Sequence, residues 1–145
     1  MKPSKLPVED FDYETEDLAR HIAEWTWELK ALNTVVIDLR GRVSYTDFVV
    51  VTTATSARHV QAIARHVDEE VAAFAGKSAY GKEGVEHGKW ALLDFGDVIL
   101  HVFNGPVRED YDLERMWPDA PRLELEEQPR DLYGHFELEQ FESPE

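Results

Sequence analysis

Two alternating runs, KWALLDF (89–95) and VILHVF (98–103), flank the dipeptide Gly96-Asp97. A strand sends successive side chains to opposite faces, and a glycine-led two-residue loop turns one strand back on its neighbour. The pattern therefore predicts a β-hairpin. A proline at 106 then opens a short helix, with Val107, Tyr111, Leu113 and Met116 as its apolar positions and Asp and Glu between them. Pro118 and Pro121 end it. On this scaffold sit side chains that a core does not require: Trp90, Asp94, His101, Arg108 and Tyr111.

The rest of the chain supplies cover for such a hairpin. Thr15 is placed to cap a helix whose first turn holds Glu16 and Asp17, next to the positive end of the helix dipole. Leu18, Ile22, Trp25, Leu29 and Leu32 recur at spacings of four and three and line one face, and Asn33 is read as the stop. TVVIDL (34–39) and DFVVVTT (47–53) are β-branched strands joined by a turn over residues 40–45. Both are almost continuously apolar, which predicts cover on both faces. Ser56 caps a second helix of about five turns with Val60, Ile63, Ala64, Val67, Val71 and Phe74 as its buried stripe, stopped at Gly76. Residues 78–88 read as a loop with room for one short strand. Helices alternating with strands, plus one hairpin, predict an α/β fold: a mixed β-sheet with helices packed on it.

With 145 residues, the chain is long enough for one domain with a real core. Residues 15–122 carry that domain, between an acidic arm (1–14) read as flexible and an acidic C-terminal extension (123–145). No run approaches a membrane span, the N-terminus lacks the apolar stretch of a signal peptide, and the absence of cysteine removes disulfides, thiolate nucleophiles and zinc knuckles. A cytoplasmic address follows as the default expectation. The net charge of −15 is concentrated at the ends, with six acids against two lysines in 1–17 and eight acids against one arginine in 123–145. Nonspecific nucleic-acid affinity comes from clustered Lys and Arg, so little direct binding to RNA or DNA is expected.

Candidate chemistry is sparse. Asp38, Asp47 and Asp94 stand at or near strand ends and could meet around a metal in a nucleotidyltransferase-like enzyme. Such enzymes need a Gly-Ser pair for the phosphates and two carboxylates two apart on one strand; this chain has neither, nor a phosphate-binding glycine loop. Strand-end and turn capping is the competing reading, and no catalytic residue is assigned. His59 and His66 share a helix face seven apart, while His21 and His87 are scattered and no HxxxH occurs, so no metal site and no cofactor is expected. Ser56 with His59 is the signature of a helix cap, since no GxSxG elbow surrounds the serine.

Aromatic residues divide differently. Trp25 belongs to the first helix stripe, so Trp27, two positions on, is left partly exposed as a contact, a dimer patch or a packed edge. Together with uncovered strand edges it raises the possibility of a homodimer. His101 sits opposite Leu100 and Val102 on its strand and reads as a half-buried structural histidine. Trp90 and Tyr111 occupy places where core demand is weak, and aromatics with a polar tip are enriched at binding hot spots.

Several blocks in order carry a family resemblance: VVIDLRG, TDFVVVTTATSARHVQAIA, Glu83-Gly84, WALLDFGDVILHVF and REDYDLERMW followed by PDA. Over residues 18–122 the chain resembles the Iojap-like ribosomal silencing factors. It departs from them in TTATS (52–56), where the family shows a glycine before the serine, and in the 123–145 extension. The resemblance implies a nucleotidyltransferase-like fold without the enzyme's activity. It also implies binding to ribosomal protein L-fourteen on the large subunit, which would block subunit joining and damp translation when nutrients fall. Assistance in large-subunit assembly is the alternative role. The partner-binding candidates are then Trp90, Asp94, His101, Arg108, Tyr111 and Glu114, with Glu109, Asp110 and Asp112 adding negative charge toward a basic protein.

Overall fold

A computed structural model describes residues 13–125. Most of the acidic arm and all of the extension beyond 125 lie outside the described residues. The elements follow as α1 (Thr15–Glu28), β1 (Leu32–Asp38), β2 (Phe48–Ala54), α2 (Ala57–Ala75), β3 (Gly81–Glu83), β4 (Trp90–Asp94), β5 (Val98–Asn104) and α3 (Gly105–Asp110), then a short 3-10 turn at Leu113–Met116. The strands form one mixed sheet in the order β1-β2-β5-β4-β3. Only the β2–β5 pair is parallel; the others run antiparallel.

The sheet has two apolar faces with different cover. On one, α1 and α2 lay Leu18, Ile22, Trp25, Val60, Ile63, Val67 and Val71 against Val36, Val50, Leu93, Leu100 and Val102. On the other, Ile37, Val49, Val51, Ile99 and Phe103 are covered by Val107, Leu113 and Trp117 from the chain after β5. Every residue of β2 is buried, as its unbroken apolar run predicts for a strand with neighbours on both sides and cover on both faces. The hairpin forms as expected, with Gly96 at φ +92° leading its loop and Phe95 N–H bonded to the Val98 carbonyl at 2.9 Å.

Both helices of the first face show what periodicity can and cannot place. For α2 the expected cap holds: the Ser56 hydroxyl accepts from the His59 N–H at 3.0 Å, and Gly76 at φ +70° closes the far end. For α1 the expected limits are both corrected. Glu14 occupies the cap position without a side-chain bond; Thr15 lies inside the helix and its hydroxyl donates to Asp97 at 3.3 Å. At the other end the helix stops at Glu28, not Asn33. The Lys30 and Ala31 N–H groups fold back onto the Trp27 and Thr26 carbonyls, and Lys30 turns the chain at φ +65°. Leu29 and Leu32 still face the core, but Leu32 does so from β1, so the apolar spacing continued across a helix end it could not register.

His59 and His66 do use the helix face they share, and they use it to fasten α1. His59 Nε2 lies 2.6 Å from the Leu29 carbonyl and His66 Nε2 lies 2.7 Å from Glu28. The outer edge of β1 is paired over its last three residues. The Asp38 N–H donates to the Pro121 carbonyl at 2.8 Å, the Leu123 N–H donates to the Val36 carbonyl at 2.9 Å, and Arg122 bridges Ile37. This chain-end strap crosses from one face, where Ala120 packs, to the other, where Leu123 and Leu125 pack. It pairs the outer edge of β1 at residues 36–38. The opposite edge, β3, is three residues long with exposed Lys82 and Glu83, a short charged edge that resists strand addition. Trp27 is a packed edge, lying against the helix-side core with its indole N–H enclosed and unpaired among the described residues.

Candidate partner-binding site

Strand alternation on the hairpin brings one set of candidates to a common face. Trp90, Leu92 and Asp94 follow each other on β4; Ile99, His101 and Phe103 do so on β5. The register sets Trp90 opposite Phe103 and Leu92 opposite His101. The Trp90 ring centroid is 4.7 Å from that of Phe103, 5.0 Å from that of Tyr111 and 5.9 Å from that of His101. Phe103 is fully buried, Trp90 is half-buried, and Tyr111 is 54% exposed. The result is an aromatic stack that runs from the core to the solvent.

A hydrogen bond fixes the middle of the stack. The Trp90 Nε1–H donates to His101 Nδ1 at 3.0 Å. An indole N–H can only donate, so Nδ1 must be the acceptor and the neutral ring carries its proton on Nε2. Burial agrees with that assignment: His101 is 7% exposed, and desolvation pushes its pKa down to about 4. His101 is thus more deeply buried than the half-buried histidine expected from the strand, and it orients the tryptophan.

The last helix departs from the expected single helix over 106–117. It ends at Asp110, Tyr111 and Asp112 adopt non-helical backbone (ψ 80° at both), and the chain resumes as the 3-10 turn. Tyr111 therefore stands at a corner. Arg108 and Glu114 close that corner from inside. The Arg108 guanidinium donates to the Asn33 carbonyl, to the Thr53 hydroxyl at 2.7 Å and to Glu114 at 3.0 Å, and the two charged side chains are only 14% and 17% exposed. Asn33 lies at φ +54° in the irregular start of β1, so the arginine also satisfies a carbonyl that the β1–β2 ladder leaves aside.

Asp94 is not joined to the stack. It lies four residues from Trp90 along the same face, about 13 Å away at the usual strand rise, and its carboxylate accepts from the Gly96 N–H at 2.8 Å. The exposed acids nearest Tyr111 in the chain are Glu109, Asp110 and Asp112, and Met116 adds an apolar group 63% exposed. Of the other two strand-end carboxylates, Asp38 is held by Arg40 at 2.7 Å, a hydrogen bond that lowers its pKa, and Asp47 pairs through its backbone with Asp97 and Leu39. Among the described residues no three His, Cys, Asp or Glu side chains are grouped to hold a metal ion. No described helix is long and apolar enough to cross a membrane.

Comparison with known proteins identifies the family of the chain. The family model described as "Ribosomal silencing factor during starvation" matches residues 12–141. The chain belongs to the ribosomal silencing factor family. Its relatives include the ribosomal silencing factor RsfS of Halalkalibacterium halodurans, 40% identical over 97 residues, which cover 67% of this chain and 82% of that one. The Bacillus subtilis factor is 34% identical over the same length, covering 67% and 81%. The chloroplastic protein Iojap of Arabidopsis thaliana is 33% identical over 87% of this chain but 55% of its own. A crystal structure from Chromobacterium violaceum superposes with a TM-score of 0.70 at 29% identity, covering 81% of this chain and 96% of that one. One from Bacillus halodurans gives 0.66 at 33% identity, covering 76% and 99%. Silencing factors are regulators associated with the ribosome, and none of the names these relatives carry is that of an enzyme.

Proposed function

We propose that this silencing factor represses translation by occupancy: it docks on the large ribosomal subunit through ribosomal protein L-fourteen and leaves the small subunit no room to join. The observation that carries the reading is the aromatic stack. Tyr111 presents a large, half-exposed ring against Trp90, which Phe103 and His101 in turn hold in place, so less side-chain freedom remains to be lost on binding. Exposed Glu109, Asp110 and Asp112 flank it in the chain, Asp112 paired with Arg115 at 3.1 Å, and their negative charge suits a basic ribosomal protein and speeds encounter. Asp94 adds to the same sign further along the face.

Occupancy needs no turnover, no nucleotide and no cofactor, and it acts where subunits join, in this reading the cytoplasm. The test mixes purified large and small subunits with increasing amounts of the protein and follows joined ribosomes by sedimentation. Joining should fall in step with occupancy of the large subunit, without added nucleotide, while preformed ribosomes stay largely intact. A requirement for nucleotide hydrolysis or transfer would sink the model. Binding only to immature large subunits would point to an assembly role.

A further inference from the structure

We propose that Arg108 and Glu114 are positioning residues for partner recognition: an internal clamp that bends the chain at Tyr111 and so seats that ring on Trp90. The inference rests on the docking reading above and gives these two charges a task other than touching the partner. In an unbroken helix, residues six apart lie about 9 Å apart along the axis and about 120° around it, out of reach of one ion pair. Here the guanidinium and the Glu114 carboxylate are 3.0 Å apart, because the helix stops at Asp110 and the 3-10 turn folds back. The residue at the corner is Tyr111, and its ring lies 5.0 Å from Trp90.

The same guanidinium reaches the Asn33 carbonyl and the Thr53 hydroxyl, so the corner is tied to the ends of β1 and β2. With three internal acceptors and 14% exposure, Arg108 has little left to offer a partner. A planar five-donor fork suits three acceptors at different angles; a lysine ammonium on the same stem does not. Glu114, in turn, meets the part-buried cation with a carboxylate, where an alanine would leave that charge without a counter-ion.

The test is a set of cycles on binding to purified large subunits, with nuclear Overhauser contacts between the Tyr111 and Trp90 ring protons as an independent readout. Glu114→Ala and Arg108→Ala should each abolish the ring contacts and weaken binding about tenfold, and the double variant should be no worse than either single one. Arg108→Lys should behave like Arg108→Ala, whereas Glu114→Gln, which keeps an acceptor, should retain most binding. In a Tyr111→Ala background, Glu114→Ala should change binding no further. If Arg108 variants fail to fold, the Glu114 pair alone decides. Two results would overturn the clamp: intact ring contacts in Glu114→Ala, or further weakening by either substitution when Tyr111 is already absent. Failure of the wild-type protein to bind large subunits would reject the docking reading instead, and the ring contacts would still judge the clamp.

Discussion

Leu92 and Leu93 are neighbours on one strand, yet they serve two different surfaces. Leu93 faces the helices and is fully buried; Leu92 faces the other way and is half-buried beside Trp90 and His101. The helix-covered face is closed by two helices of 14 and 19 residues, which pack a continuous apolar core. Among the described residues, the second face is closed by a six-residue helix, a 3-10 turn, Val43 of the β1–β2 turn and the strap over β1. The first therefore holds the fold, and the second keeps an aromatic stack at its margin with one ring left in solvent. Short cover leaves one margin of this sheet face anchored in the core and in contact with solvent at once.

The strongest way to break this division is to cut the two leucines. Leu93→Ala should cost about 2–5 kcal/mol of stability by denaturant titration, the range for deleting a buried leucine side chain. Leu92→Ala should cost clearly less. Equal losses would mean that both faces carry the fold alike. A pH scan sharpens the same point through His101. With its folded pKa near 4 and an ordinary value of 6.5, the unfolded chain takes up a proton between those values that the native chain does not. Stability due to this group is therefore full above pH 6.5 and falls as pH drops toward 4. The slope is about 1.4 kcal/mol per unit, or roughly 3 kcal/mol in all. His101→Gln should flatten that part of the profile; an unchanged profile would show that the histidine is solvated.

Binding should separate from stability at the rim of the second face. Tyr111→Ala is expected to weaken binding to large subunits by about 2 kcal/mol, the hot-spot range, with a melting curve close to wild type. Trp90→Ala should lose at least as much binding and also some stability, since it removes the donor to His101 and the ring between Phe103 and Tyr111. If both variants bind normally while folded, the second face is not the docking surface. The smallest effect concerns the acidic end. Deleting residues 126–145 should change affinity less than tenfold, that is by less than about 1.4 kcal/mol, and raised salt should weaken binding of both forms. A larger loss on truncation would extend the site into the tail.

Local patterns were enough to recover much of this molecule. The α2 cap and stop, the buried β2 run and the hairpin at Gly96-Asp97 are each set by neighbours within a few residues, and those signals are written in the chain itself. Trp90 and Tyr111 stood out for the same reason: large rings where the local pattern asked for none. What periodicity missed depends on residues far apart in sequence. The end of α1 is hidden because Leu29 and Leu32 keep facing the core from two different elements. The break at Tyr111 needs Arg108 to find Asn33 and Thr53, 75 and 55 positions away, and Glu114 to follow. The edge of β1 is closed by the strap at residues 121–123, some 85 positions later in the chain than Val36 and Asp38. The sequence by itself determined the elements, their buried stripes and the aromatic candidates, because hydrophobic spacing and turn chemistry act over short range. Only the tertiary structure decided which charges face inward, where the last helix bends and which ring reaches the solvent, because a part-buried ion pair and a strand edge are satisfied by whatever the whole fold brings within about 3 Å.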